Sequence, residues 1–216
     1  MHVANDYAYP SRPQGYHMLK RVVDVVLATL MLVLTLPILV FSALLVRLTS
    51  RGPVIFEHTR CGHDGVPFGC LKFRTMVVDA QDWLAQDPEL KAKYTENGFK
   101  LQNGQDPRVT RVGRLLRHTY LDELPQLVNV IRGEMSLVGP RPIIEEELEW
   151  YGDHRDELLS VRPGVFGAWT GLGRSRMEYP TRTLVELQYV RDTAQLKDFR
   201  ILVKHIPVLL RGHSGE

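Results

Sequence analysis

In the stretch RHTYLDELPQLVNVIRGEMSLVGPRP, Arg117 to Pro142, two carboxylates stand side by side as Asp122 and Glu123. Arg108, Arg111, Arg114 and Arg117 precede them, and Arg132 and Arg141 follow. Two chemistries fit that arrangement. In the structural one, Asp122 caps the helix that opens near Pro125 and Glu123 favours its dipole. In the other, the pair sits in an anion-handling pocket. A helix start offers free amide donors, and the guanidinium groups of Arg117 and Arg141 match phosphate oxygens bidentately. Two carboxylates would repel a phosphate there unless a cation bridged them, as Mg²⁺ does between carboxylates and substrate phosphates. Asp122 could also attack phosphorus itself, splitting one displacement into two through an acyl-phosphate.

The elements that must hold such a pocket are legible in outline. The chain has 216 residues, enough for one core with an anchor, and an excess of only two basic residues gives no reason to expect a nucleic-acid partner. Cys61 and Cys70 lack partners at zinc-like spacing and read as free thiols of a reducing compartment. From Val25 to Val46 no residue is charged, a length that can cross a bilayer as a helix of ~20 residues. A secretory signal fits poorly, since its apolar region is ~7–15 residues and a cleavage site follows, whereas RLTSRGP follows here. A buried soluble helix is the plainer alternative. Pro37 interrupts the segment, and basic residues flank both ends as Lys20 with Arg21 and Arg47 with Arg51. Both pairs prefer the cytoplasmic side, so a kinked re-entrant helix satisfies them, with a conventional single pass as the other option.

Residues 1–17 are expected to form a flexible tail, 18–50 the membrane helix and 51–216 a catalytic domain on the membrane surface. Within the last, GPVIFEHTRCGHDGVPFGCLKFRTM reads as a hairpin ending in Lys72 and Arg74. VVDAQDWLAQDPELKAKYT reads as two short helices divided at Pro88, and ENGFKLQNGQDPRVT as a long polar loop. RVGRLLRHTYL is expected to be a helix or turn. The helix after Asp122 should stop at Gly133, before an extended LVGPRP. IIEEELEWYGDHRDELLSV and TRTLVELQYVRDT read as helices, with RPGVFGAWTGLGR as a glycine-rich loop between them. LKDFRILVKHIPVLLRG places Phe199, Ile201, Leu202, Ile206, Leu209 and Leu210 among Lys197, Arg200, Lys204 and Arg211. Such a helix suits a membrane interface or a core-packed face equally. The fold class expected is α+β, mostly helical, with a re-entrant membrane helix, short strands and an amphipathic helix.

These motifs resemble the monotopic polyprenyl-phosphate phosphoglycosyl transferases, the bacterial sugar transferase family. The resemblance runs from about Met18 to Gly212 and rests on KRVVD, Pro37, KFRTM, DPRVTRVGRLLR, LDELPQLVNVIRGEMSLVGPRP and RPGVFGAWTGLGR. It implies transfer of a sugar 1-phosphate from a UDP-sugar donor to a polyprenyl (undecaprenyl) phosphate acceptor, with release of UMP. The route implied is ping-pong and uses Mg²⁺. By the same resemblance Asp122 is the nucleophile and a metal ligand, and Glu123 its partner. Arg117 and Arg141 bind phosphate, with Lys72 and Arg74 as further substrate contacts that could instead serve the fold. Lys20, Arg21 and Pro37 mark a re-entrant helix at the bacterial inner membrane with the catalytic domain facing the cytoplasm. Asp24 then belongs near the headgroups, paired with Arg21 or a helix end.

Departures from the family pattern are Tyr120 where a small residue is usual, Leu36 before Pro37 where some members have serine, and Thr170 and Gly171 after Trp169. The chain resembles a minimal catalytic form or a piece of a larger relative, and a homodimer is compatible with its tail and its amphipathic C-terminus. The competing enzyme is a Mg²⁺-dependent, membrane-associated nucleotide-sugar phosphodiesterase with water as acceptor. The competing non-enzyme is a membrane scaffold whose carboxylates merely cap a helix.

Overall fold

A computed structural model describes residues 14–97, 101, 106–167, 179–192 and 195–211. Residues 1–13 of the expected 1–17 tail, most of the polar loop around 98–105, and the Trp169–Gly171 segment lie outside the described residues. Helix α1 spans Gln14–Thr49, so it begins four residues before the expected boundary at 18 and carries Pro37 inside it. The hairpin forms as expected. Strand β1, Ile55–Cys61, pairs antiparallel with β2, Pro67–Phe73, in a register running from Ile55 opposite Phe73 to Cys61 opposite Pro67. Pro88 divides α2, Ala80–Gln86, from α3, Pro88–Glu96, where Asp87 caps the second helix by accepting from the Leu90 amide.

Helix α4, Arg111–His118, leads through a 3₁₀ turn at Leu121–Glu123 into α5, Gln126–Arg132. Gly133 ends α5 in the left-handed conformation expected of a stop, with φ 89°. The extended segment after it becomes β3, Ser136–Val138, and pairs in parallel with β4, Gly164–Phe166. The glycine-rich loop therefore opens as a strand. Helix α6 is Arg155–Leu159, α7 is Thr181–Arg191 and α8 is Gln195–Arg211. One expectation fails in form: Glu145–His154 is wound as 3₁₀ turns that Gly152, at φ 48°, kinks just before α6. A residue in that conformation cannot continue a right-handed helix.

The membrane candidate is part of the core. Asp24, Ala28, Leu32, Leu39, Ser42 and Val46 recur at helical spacing along one stripe of α1. Ala28 packs in the main cluster with Leu127, Val130 and Leu137, while Val46 joins Phe73, Leu116 and Leu121. The opposite face carries exposed Val33, Leu34, Phe41 and Leu48, and the helix is long and apolar enough to cross a membrane. Leaving such side chains in water instead of burying them costs about 1.5–3 kcal/mol each.

The polar residues on α1 fasten it. Asp24 does not pair with Arg21. Its carboxylate accepts from the Ser136 hydroxyl at 2.7 Å and the Leu137 amide at 3.3 Å, with Lys20 3.7 Å away. Arg21 instead donates to the Val130 and Ile131 carbonyls, satisfying the free end of α5. Helix α8 divides its faces. Asp198 takes an ion pair from Lys20 at 2.6 Å and Ile201 is buried, whereas Leu196, Phe199 and Val203 are exposed. The side chains of Ile206, Leu209 and Leu210 lie outside the described set.

Strands β3 and β4 touch where two glycines cross. A Cβ on Gly164 would collide with the Gly139 backbone nitrogen and Cα, so neither residue can carry a side chain unless the strands part. Gly164→Ala is expected to lower the thermal unfolding midpoint by roughly 5 °C, from an overpacking cost of about 1–3 kcal/mol. An unchanged midpoint by differential scanning calorimetry would refute the close crossing.

Candidate active site

The hairpin, the turn before α5 and the β3–β4 crossing meet at a cleft of about 420 Å³. Its walls include Arg60 from β1, Lys72 from β2, Glu123 and Gln126 around the start of α5, Arg141, and Gly164. The Lys72 ammonium donates to the Glu123 carboxylate at 2.7 Å, joining the hairpin to the turn. Asn129, fully buried on α5, sets the spacing between them. Its side-chain oxygen accepts from the Leu71 amide at 3.0 Å and its nitrogen donates to the Gly69 carbonyl at 2.8 Å. The amide thus imitates a neighbouring strand on either side of Cys70, and a third bond to Glu134 at 2.7 Å holds it.

Behind Arg141 lies a buried lattice of acids and bases. Arg182 binds both Glu147 at 3.3 Å and Glu186 at 3.2 Å, and Arg60 reaches Glu147 at 3.3 Å. Glu186 accepts from the Arg141 amide at 3.3 Å, and Tyr151 donates to the same carboxylate. That lattice fixes the GPRP turn while leaving the Arg141 side chain without a hydrogen bond or ion pair among the described residues. The cationic character of the cleft shows in His58, which burial and the neighbouring Arg60 and Lys72 push down to about 4.

The structure revises the role of Asp122 as a helix cap. Tyr120 adopts the left-handed conformation at φ 57° and starts the 3₁₀ turn, and Pro125 occupies the cap position of α5. Asp122 is 8 % exposed and lies beside the cleft, whereas Glu123 lines it. Burial, then the Glu123 charge, raise the Asp122 pKa to about 6, and Lys72 and Arg117 partly offset them. Arg117 is anchored by its Nε to the Thr75 hydroxyl at 2.9 Å, with its charge directed towards Asp122.

Of the residues singled out in the sequence, Lys72, Glu123 and Arg141 come together at the cleft, with Asp122 and Arg117 adjoining. Arg74 is elsewhere: it is 5 % exposed and donates to the Ser50 carbonyl at 3.0 Å and hydroxyl at 2.7 Å, tying down the C-terminal end of α1. Of the surrounding arginines, Arg108 is consumed by Asp106 at 2.8 Å, while Arg111, Arg114 and Arg132 are exposed. Arg60, Gln126 and Asn129 were missed. Asn129 had a signal, a polar residue on the apolar stripe of α5, whereas nothing in HTR marks Arg60. Cys70 lines the cleft, but burial pushes its thiol up, away from nucleophilic use.

Among the described residues no group of three or more His, Cys, Asp or Glu side chains could hold a metal by itself.

A family model described as bacterial sugar transferase matches residues 15–212. An undecaprenyl-phosphate galactose phosphotransferase of Salmonella typhimurium is 44% identical over 198 residues, 89% of this chain and 40% of the relative. The exopolysaccharide production protein ExoY of Rhizobium meliloti is 43% identical over 202 residues, 92% of this chain and 88% of the relative. A UDP-glucose:undecaprenyl-phosphate glucose-1-phosphate transferase of Escherichia coli K12 is 40% identical over 193 residues, 86% of this chain and 39% of the relative. The chain thus spans about two fifths of the length of several relatives it matches.

The burial of Asp122 has a stability consequence. The folded carboxyl keeps its proton to higher pH than the unfolded one, so stability falls as pH rises from about 4 to about 6 and stays lower above. Asp122→Asn is therefore expected to stabilise the protein at pH 7.5 by on the order of 2 kcal/mol. The gain should vanish below pH 4 in thermal melts; a destabilised variant at pH 7.5 would contradict it.

Proposed function

The chain belongs to the bacterial sugar transferase family, and from that premise we propose that it transfers a sugar 1-phosphate from a UDP-sugar to undecaprenyl phosphate through a covalent aspartyl intermediate. The activities for which the Salmonella and Escherichia relatives are named support the donor and acceptor classes. The observation that carries the mechanism is the buried Asp122 carboxylate, raised to about 6 beside Glu123 and faced by Lys72 and Arg117. A desolvated carboxylate that is ionised at neutral pH and poorly solvated is a competent nucleophile.

In this reading Arg141 and Arg60 receive the diphosphate of the donor in the cleft. An Asp122 oxygen forms a bond to the phosphorus that bears the sugar, and the bridging P–O bond breaks, so UMP departs with that electron pair. The terminal oxygen of undecaprenyl phosphate then attacks the same phosphorus and frees Asp122. Lys72 holds Glu123, and with it the turn, against the hairpin through both steps and limits the charge that builds beside Asp122. Mg²⁺, held by Asp122 and Glu123 with the donor phosphates, would neutralise the diphosphate.

The same proposal covers the anchor. Arg21 fastens one end of α1 to α5, and Arg74 fastens the other through Ser50. A helix tied at both ends to one domain keeps both ends on one side of a bilayer. This supports a re-entrant helix kinked at Pro37, with its exposed apolar face in lipid. Flanking Lys20, Arg21, Arg47 and Arg51 favour the cytoplasmic face of the inner membrane.

The experiment is intact-protein mass spectrometry after mixing with a panel of UDP-sugars without lipid. The expected result is a mass gain of one sugar phosphate in the parent protein, none in Asp122→Asn, and partial labelling in Glu123→Gln. Sustained UMP release should require undecaprenyl phosphate. Steady turnover without the lipid, and no adduct, would favour the phosphodiesterase instead.

A further inference from the structure

A second cavity, of about 480 Å³, shares no lining residue with the cleft and lies at the N-terminal end of α1. Lys20, Arg21 and Arg162 line it, with His17 and His63 also contributing. Arg21 and Arg162 converge on the last carbonyls of α5: Arg21 donates to Val130 and Ile131, and the Arg162 Nε donates to Gly133 at 2.7 Å. The partial negative charge of that helix end holds two guanidinium groups close enough to repel one another.

Asp24 and Asp198 offset Lys20, so the excess charge is carried by the two arginines. Asp24 lines the cavity, but its oxygens are committed to Ser136, Leu137 and Lys20. Arg162 is exposed, and its two terminal nitrogens make no hydrogen bond among the described residues. Two unused guanidinium donors on Arg162 beside the Arg21 guanidinium form a receptor for phosphate oxygens. The neighbouring first turns of α1 expose Met18, Leu19 and Val22, so acyl chains would lie against the helix where the cavity opens.

We propose that this cavity binds the phosphodiester headgroup of an anionic phospholipid, with Arg162 closing on the phosphate above Lys20 and Arg21. Such a lipid would pin the N-terminal end of α1 in the headgroup layer and relieve the repulsion between the two arginines. The proposal rests on the reading of α1 as membrane-embedded but not on the catalytic chemistry.

The test uses the full chain in neutral detergent micelles and follows the thermal unfolding midpoint. Dioctanoyl phosphatidylglycerol, dioctanoyl phosphatidylcholine and inorganic phosphate are titrated separately. The zwitterionic lipid controls for acyl contact, and inorganic phosphate for a free-anion site. Phosphatidylglycerol should raise the midpoint saturably by roughly 5 °C. The other two should shift it by less than a third as much. Arg162→Gln, at an exposed position, should lose most of the rise, and Asp122→Asn should keep it even if no transferase activity is found. An equal rise with phosphatidylcholine, an equal rise with inorganic phosphate, or a full response in Arg162→Gln would each overturn the headgroup assignment.

Discussion

The ion pair between Lys72 and Glu123 is the contact around which the rest is arranged. Two adjacent carboxylates, one of them 8 % exposed, repel each other and resist desolvation. The charges of Lys72, 2.7 Å from Glu123, and of Arg117 partly offset that burial and repulsion, leaving the Asp122 pKa raised to about 6. The hairpin exists, in this sense, to deliver one ammonium group to one turn. Asn129 fixes that delivery by acting as a false strand beside β2, so that helix α5 and the hairpin cannot slide relative to one another.

The same economy governs the anchor. Helix α1 uses one stripe to build both parts of the core and leaves the other face apolar and exposed. Its polar residues are spent on fastening: Asp24 on β3, Arg21 on α5, Lys20 on α8. Helix α1 and the turn that carries Asp122 are therefore one packed body, since Leu121, next to Asp122, lies in the cluster with Val46 of α1. In the proposed reaction this brings a lipid-borne phosphate to the nucleophile without extracting its tail from the bilayer.

Local signals in the sequence were read well where one residue forces the outcome. Pro88 split two helices, Gly133 ended α5, and the alternation around CGHDG made a hairpin. Of the two readings of Asp122, the helix cap is not formed, because the left-handed Tyr120 inserts a 3₁₀ turn that no periodicity announces. Gly152 likewise broke a segment whose composition is helical. Partnerships across the fold were the least legible. Arg74 went to Ser50 and Arg21 to carbonyls of α5, because bare carbonyls at a helix end leave no mark in side-chain spacing. Arg60 reached the cleft only because β1 and the GPRP turn share the buried acid lattice.

The most direct measurement of the central claim is the pH dependence of single-turnover UMP release, compared between the parent protein and Lys72→Met. If a buried aspartate tuned by Lys72 is the nucleophile, the acid limb lies near the Asp122 value of about 6. Removing the ammonium should then move it upward by about one unit. A limb near 4, or one that stays in place when Lys72 is lost, would contradict the account.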